Sequence, residues 1–214
     1  MTRFVDRAAA GRALVAPLAA LGLRRPLLVG LARGGVPLAV AAAAQLADAE
    51  VDVAVARKIG LPGRPEAGLG AVATDGEPVW FARALENQGL TPPDLDEQVT
   101  AAREEARRRH IALGAGRRDP AGRDVVLCDD GVATGVTAHA ALIALATAGP
   151  NRLVLAAPVV AATTIRRLDR EWGGEIVAVA VLEDFRAVAD HYEDFAQLTN
   201  DAVLEMLRRP PGRR

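Results

Sequence analysis

Aromatics make up only 3% of this 214-residue chain, and it has one cysteine, three histidines and a formal net charge of −1. With rings so scarce, the core must be packed from Ala, Val and Leu, which dominate the apolar half of the sequence. A lone cysteine, Cys128, excludes an intramolecular disulfide, and its place at the end of an apolar run suits a small core residue better than a reactive thiol. His110, His139 and His191 stand at no metal-ligand spacing with that cysteine or with one another, and sequence order offers no Ser-His-Asp arrangement. Near-neutral charge gives no global attraction to nucleic acid or anionic membranes, so any phosphate affinity must be local. No run of about twenty apolar residues is free of charge, so no membrane span is expected. The opening stretch, MTRFVDRAAAGRALVAPLAALG, carries charges throughout and reads as an amphipathic helix, not as a targeting segment. Cytoplasm is the expected location.

What is present alternates. Apolar runs at Leu27 to Ala32, Val51 to Ala56, Asp124 to Cys128, Arg152 to Val160 and Glu175 to Leu182 read as strands, the last three buried on both faces, separated by helical stretches of Ala, Leu and Arg. That order predicts an α/β fold: an open, doubly wound, mainly parallel sheet flanked by helices. The length fits one domain over 1–214 with a small accessory lobe. Residues 77–118 fall outside the alternation, with a Pro92-Pro93 break and a polar helix from Asp94 to Leu113. Its mixed-sign charges read as a solvated face, with a subunit contact as the next choice. The tail 208–214 is expected to fray.

The most informative segment is Val125 to Thr137, VVLCDDGVATGVT. A strand ending at Cys128 delivers Asp129 and Asp130 to the carboxyl edge of the sheet, where open α/β folds place their ligands. Two acceptor-only side chains suit vicinal hydroxyls or a hydrated divalent cation. Gly131, Val132, Ala133, Thr134 and Gly135 then form a small-residue turn before a helix, and its N–H groups, with the hydroxyls of Thr134 and Thr137, can converge on one anion. A plain strand-turn-helix junction would need one capping carboxylate, not two.

Upstream, the first apolar run leads into Arg33-Gly34-Gly35-Val36-Pro37 and a helical stretch from Leu38 to Ala47. The glycines permit close approach of a ligand and Arg33 offers a fork for phosphate, although a turn leading into a helix would explain Gly-Gly and Pro37 alone. The second run ends at Arg57-Lys58, before a Gly/Pro-rich segment from Ile59 to Gly70 suited to a mobile loop over polyphosphate. Glu66 in that loop is either a proton-transfer group or a solvated side chain.

A P-loop is excluded by spacing and by the absence of its lysine, and no G-x-G-x-x-G follows an apolar run. The acidic pair, small turn, Thr134-Gly135 and Thr137 instead resemble the 5-phosphoribosyl-1-diphosphate (PRPP) motif of the type I phosphoribosyltransferases. Arg33 to Gly35 resembles the family's pyrophosphate loop, where a strained or cis non-proline peptide is often found, and Arg57-Lys58 is similar to the adenine-type members. Hypoxanthine-guanine enzymes usually carry aspartate before the motif threonine. Ala133 here leans toward other branches. The resemblance implies transfer of a 5-phosphoribosyl group between PRPP and a nitrogenous base, with Mg2+. Asp129 and Asp130 would grip the ribose diol directly or through the metal. The turn from Gly131 to Thr137 would hold the 5-phosphate, and Arg33, Gly34, Gly35, Arg57 and Lys58 would take the pyrophosphate.

The segment 183–200 concentrates Phe185, Tyr192 and Phe195 with Asp184, Asp190 and Asp194, and the resemblance implies that a base-binding hood lies there. Phe185 is the candidate stacker, against a hydrophobic anchor. Tyr192 and Phe195 are read as packing residues, and the aspartates as solvated or base-contacting. A homodimer is common in the resembled family. Two other readings stay open: a non-catalytic sensor of PRPP or a nucleotide, and hydrolysis or transfer on another phosphosugar.

Overall fold

The computed structural model describes residues 2–61, 63–64 and 68–208. Glu66 and the tail beyond Arg208 lie outside the described residues.

Strands β1 (Leu27–Leu31), β2 (Glu50–Ala54), β6 (Asp124–Cys128), β7 (Arg152–Ala161) and β8 (Glu175–Leu182) form a five-stranded sheet in the order β2-β1-β6-β7-β8. Every pairing in it is parallel. Period-two alternation sorts its side chains. Leu27, Val29, Val125, Leu127, Leu155 and Ala157 enter one buried cluster, with α6 (Val136–Ala146). Leu28, Val126, Cys128, Val154 and Ala156 enter another, with residues of α1 (Arg7–Ala13), α2 (Val15–Ala19) and α3 (Gly35–Ala43). Double-sided burial fails only at the rim. β8 is an edge strand and leaves Val181 55% exposed, which corrects the expectation that it is buried on both faces.

Strand order reverses between β1 and β6, so the crevice between the loops that leave them is the topological switch point of the sheet. Helix α3 starts at Gly35, earlier than the expected Leu38, and Pro37 sits in its first turn, where no N–H is required.

The second run of apolar residues holds two strands, not one. After β2 the chain leaves the parallel sheet and forms β3 (Ala56–Ile59), which pairs antiparallel with β4 (Gly70–Ala73), itself paired with β5 (Val79–Trp80). Arg57 and Lys58 therefore lie within an antiparallel strand, opposite Val72 and Ala71, and not at the end of a parallel one. This small sheet packs against α6 and against the polar helix α5 (Asp96–Leu113), while α4 (Ala82–Gln88) and a 3₁₀ turn at Pro92–Leu95 connect β5 to α5. Residues 77–118 thus contribute a strand as well as helices to the accessory lobe. Helix α7 (Ala162–Glu171) joins β7 to β8, and α8 (Asn200–Arg208) closes the described chain.

Candidate functional site

Residues on three chain segments that leave or follow strands line one cavity of about 480 Å3: Arg33 and Gly34 after β1, Arg57 and Lys58 of β3, and Asp129, Asp130 and Thr137 after β6. Roomier cavities exist elsewhere. One of about 580 Å3 lies at the amino edge of the sheet, where Arg118 and Arg123 already pair with Glu50. Chemistry, not size, marks the smaller one.

The two loops at the switch point interlock. Asp129 begins where β6 ends, its N–H donating to Ala156 O at 3.0 Å, and Asp129 Oδ1 accepts the N–H of Asp130 at 2.9 Å. The peptide between Ala32 and Arg33 is cis, as the resemblance implies. A methyl group on Gly34 would stand 1.9 Å from Asp130 Oδ2, and one on Gly35 would stand 2.0 Å from Cys128 O. These glycines are required by close approach, not by unusual backbone angles. Burial, then the neighbouring Asp130 charge, pushes the Asp129 carboxyl well above the ordinary carboxylate range.

Asp130 has a partner that sequence reasoning missed. Arg7 Nε donates to Asp130 Oδ2 at 2.8 Å, and the two side chains are only 12% and 15% exposed. The same guanidinium donates through Nη1 to Ala196 O at 2.8 Å and lies 3.8 Å from the centre of the Phe195 ring. Tyr192 is buried and donates its hydroxyl to Asp130 O at 2.6 Å. Burial, with the Asp130 charge, raises the Tyr192 pKa, so the hydroxyl stays a donor.

The turn after the acidic pair is held from behind. Val132 N–H donates to Val159 O at 2.9 Å and its side chain is buried, so Val132 anchors the turn and has no N–H left for an anion. Thr164 of α7 donates to Ala133 O, and Arg167 Nη2 donates to Thr134 O at 2.6 Å. In a planar trans peptide the C=O and the following N–H point opposite ways. Binding these two carbonyls therefore turns the N–H groups of Thr134 and Gly135 away from α7. Gly135, at φ 67°, caps α6, whose first-turn N–H groups have no partner within the helix. His139 of α6 is buried beneath this turn, its pKa lowered by burial and then by Arg167, against Glu171.

The 183–200 segment supplies none of the residues that line the cavity. Phe185 is half-buried, packs on the cluster that contains Phe4 and Tyr192, and lies 5.7 Å from His191, in the geometry of the hydrophobic anchor weighed against a stacker. Tyr192 and Phe195 pack as expected, at 5.0 Å between rings. The segment is instead stitched to the amino terminus: Phe4 N–H donates to His191 O at 2.8 Å and Glu193 N–H to Phe4 O at 2.9 Å. Among the described residues no group of three or more His, Cys, Asp or Glu is placed to hold a metal, and no helix is long and apolar enough to cross a membrane.

Comparison with known proteins agrees with this geometry. The family model described as the phosphoribosyl transferase domain matches residues 7–183. Mycobacterium tuberculosis proteins of two strains, each named "Putative phosphoribosyl transferase", are 36% identical over 211 residues, 98% of this chain and 47% of theirs. The chain spans about half the length of the curated relatives it matches. The crystal structure of TT1426 from Thermus thermophilus superposes with a TM-score of 0.80 at 40% identity, covering 99% of this chain and 100% of that one. A purine phosphoribosyltransferase from Pyrococcus horikoshii Ot3, at 15% identity and a TM-score of 0.50, covers 92% of this chain and 97% of its own, and shares the fold alone. This chain belongs to the phosphoribosyl transferase domain family.

Proposed function

We propose that this chain transfers a 5-phosphoribosyl group between PRPP and a nitrogenous base, releasing pyrophosphate. The observation that carries this reading is the convergence of Arg33, Arg57, Lys58, Asp129, Asp130 and Thr137 on one cavity. Cations and carboxylates share its lining, which matches a ligand that is polyanionic at one end and a diol in its middle.

In the reaction the bond from the ribose C1 to pyrophosphate breaks, a bond from C1 to the acceptor nitrogen forms, and that nitrogen loses a proton. Arg33, Arg57 and Lys58 bind the departing pyrophosphate and offset its charge. The carboxylates of Asp129 and Asp130 face the ribose and favour the positive charge that develops on its ring. The N–H groups of the turn and of the first turn of α6 hold the 5-phosphate, with the Thr134 and Thr137 hydroxyls. Glu66 is proposed as the proton-transfer group of the closing loop, which would exclude water from the reacting carbon.

The donor set fits a magnesium ion held largely by its substrate. Arg7 engages one oxygen of Asp130 and the Asp130 N–H engages one of Asp129, so the pair would supply one or two ligands in all. Mg2+ commonly takes one or two carboxylates and completes its shell with water and substrate phosphates. When bound, it would neutralise pyrophosphate charge beside the cations.

A second reading, a PRPP or nucleotide sensor, is favoured by one observation: the expected hood contributes no side chain to the cavity. Calorimetry separates the readings. PRPP is titrated with and without magnesium, and a panel of purine and pyrimidine bases follows while pyrophosphate is monitored. Release with one base is expected of the transferase. Tight binding without release from any base would support the sensor, and absence of PRPP binding would refute both.

A further inference from the structure

Arg7 is held too firmly to be a passing partner of Asp130. It is the first residue of α1, whose start is fixed by Asp6 accepting the Ala9 N–H at 2.6 Å. From there its guanidinium reaches three targets at once: the Asp130 carboxylate, the Ala196 carbonyl and the Phe195 ring face. Two of these targets belong to the C-terminal segment, and the third lines the candidate cavity. A merely structural tie between α1 and the C-terminal segment would need only Ala196 and Phe195. The contact with Asp130 also brings a cation beside two adjacent carboxylates, at the place where a polyanionic ligand must approach.

The geometry of Asp130 gives this contact a direction. Its Oδ2 is taken by Arg7 and also lies nearest Gly34, while its main-chain carbonyl is taken by the Tyr192 hydroxyl. Arg7 and Tyr192 together fix which way the Asp130 carboxylate faces. On the phosphoribosyl reading, on which this inference rests, we infer that Arg7 is a positioning residue that orients Asp130 toward the ribose hydroxyls. The segment around Tyr192 to Ala196 is the brace that holds Arg7 in place. This gives Tyr192 and Phe195, which do not line the cavity, a part in the site: one holds the main chain of Asp130 and the other backs Arg7.

The test reads three ligands separately by calorimetry on the full chain, together with a thermal melt: magnesium pyrophosphate, ribose 5-phosphate, and PRPP with magnesium. Arg7→Met removes the charge and both hydrogen bonds but keeps an apolar stem against Phe195. Affinity for ribose 5-phosphate and for PRPP is expected to fall about tenfold or more, the scale of a lost charge-assisted hydrogen bond, while that for magnesium pyrophosphate stays within about twofold. Arg7→Lys keeps the charge without the fork and is expected to recover part of the loss for the two ribose ligands only. A merely structural role would weaken all three ligands together as the melting temperature falls. Equal weakening of all three, or no weakening, overturns the inference. If Arg7→Met does not fold, the same split, at a few-fold, is read on Arg7→Lys, and its absence there is equally decisive. Wild-type protein that binds none of the three overturns the phosphoribosyl reading and the inference with it, whereas wild-type binding without the split in the variants overturns the inference alone.

Discussion

Adding one methyl group at Gly34 or at Gly35 separates what the loop after β1 does for binding from what it does for the fold. Gly34 has φ −63° and ψ −34°, angles open to any residue, so Gly34→Ala changes contacts and not backbone preference. The new carbon would meet Asp130 Oδ2 at 1.9 Å and its Cγ at 2.4 Å, where real contacts do not fall below 3.0 Å. The carboxylate must retreat, and in doing so it breaks or stretches its 2.8 Å bond to Arg7. A hydrogen bond to a charged group contributes about 1.5–3 kcal/mol, so PRPP affinity is expected to fall by about ten- to 150-fold. A side chain can rotate to relieve the clash, so the melting temperature is expected to drop by only about 2–6 °C. At Gly35 the obstacle is Cys128 O, 2.0 Å away, on the backbone of the central strand β6, which cannot turn aside. Gly35→Ala must lift the loop from the sheet, at a cost of about 3 kcal/mol or more and a fall of about 6–12 °C. Melts and magnesium-dependent PRPP calorimetry on the two variants side by side provide the check. A Gly34→Ala protein that binds PRPP like wild type, or a Gly35→Ala protein that melts with Gly34→Ala, would refute the claim that loop interlock positions the acidic pair.

Thr164→Val keeps the shape of the side chain and removes the donor to Ala133 O, so ribose 5-phosphate affinity is expected to fall about three- to tenfold with a stability loss of about 1 kcal/mol; unchanged affinity would show that α7 does not orient the turn. Asp124 is buried and accepts the Arg24 N–H and the Asn151 side-chain amide, each at 2.7 Å, and Asp124→Ala is expected to lose about 2–4 kcal/mol in urea unfolding. Burial raises its pKa, but those hydrogen bonds, with Arg152 and Arg24, outweigh it and hold the carboxyl below its ordinary value of 3.8. Its contribution is therefore full above that value and lost as pH falls through the lowered one, and wild type and Asp124→Ala should converge in stability there. Burial, with Asp129, pushes the Cys128 thiol up to about 12, so an alkylating reagent at pH near 8 should label it only after denaturant is added, and rapid native labelling would contradict a core role.

The parts of the site legible in the sequence are those whose chemistry is contiguous. β6 spans Asp124–Cys128 as expected, and Asp129, Asp130 and Thr137 follow it into the cavity because a strand, a turn and a helix start are local events. Arg33 and Gly34 arrive by the same logic after β1. Reasoning from local pattern failed where the partner is remote. Val51 to Ala56 reads as one strand, yet Ala56 pairs with Ala73, and nothing in the run itself marks Val55 as the place where the chain leaves the parallel sheet. The early start of α3 was hidden by Gly-Gly, which signals a loop by propensity but is present here for close approach to β6. Arg7 stands 123 residues from the carboxylate it grips, in a stretch whose charges read only as the polar face of an amphipathic helix.

These successes and failures have a common cause in how the site is built. Apart from Arg57 and Lys58 of β3, the charged groups that line the cavity come from the ends of β1 and β6, at the crevice where the strand order reverses, and a strand end is visible in sequence. The groups that aim them come from elsewhere. Thr164 and Arg167 on α7 hold two carbonyls of the turn and so rotate its N–H groups to the other side, while Arg7 and Tyr192 hold both the side chain and the main chain of Asp130. Each support is an ordinary residue on an ordinary helix or loop, and it becomes specific only through packing. On the proposed function, donors to main-chain carbonyls suffice for the turn, whose own N–H groups would face an anion. Two adjacent carboxylates facing a polyanion would need a cation of their own, and Arg7 is the residue that brings one to Asp130.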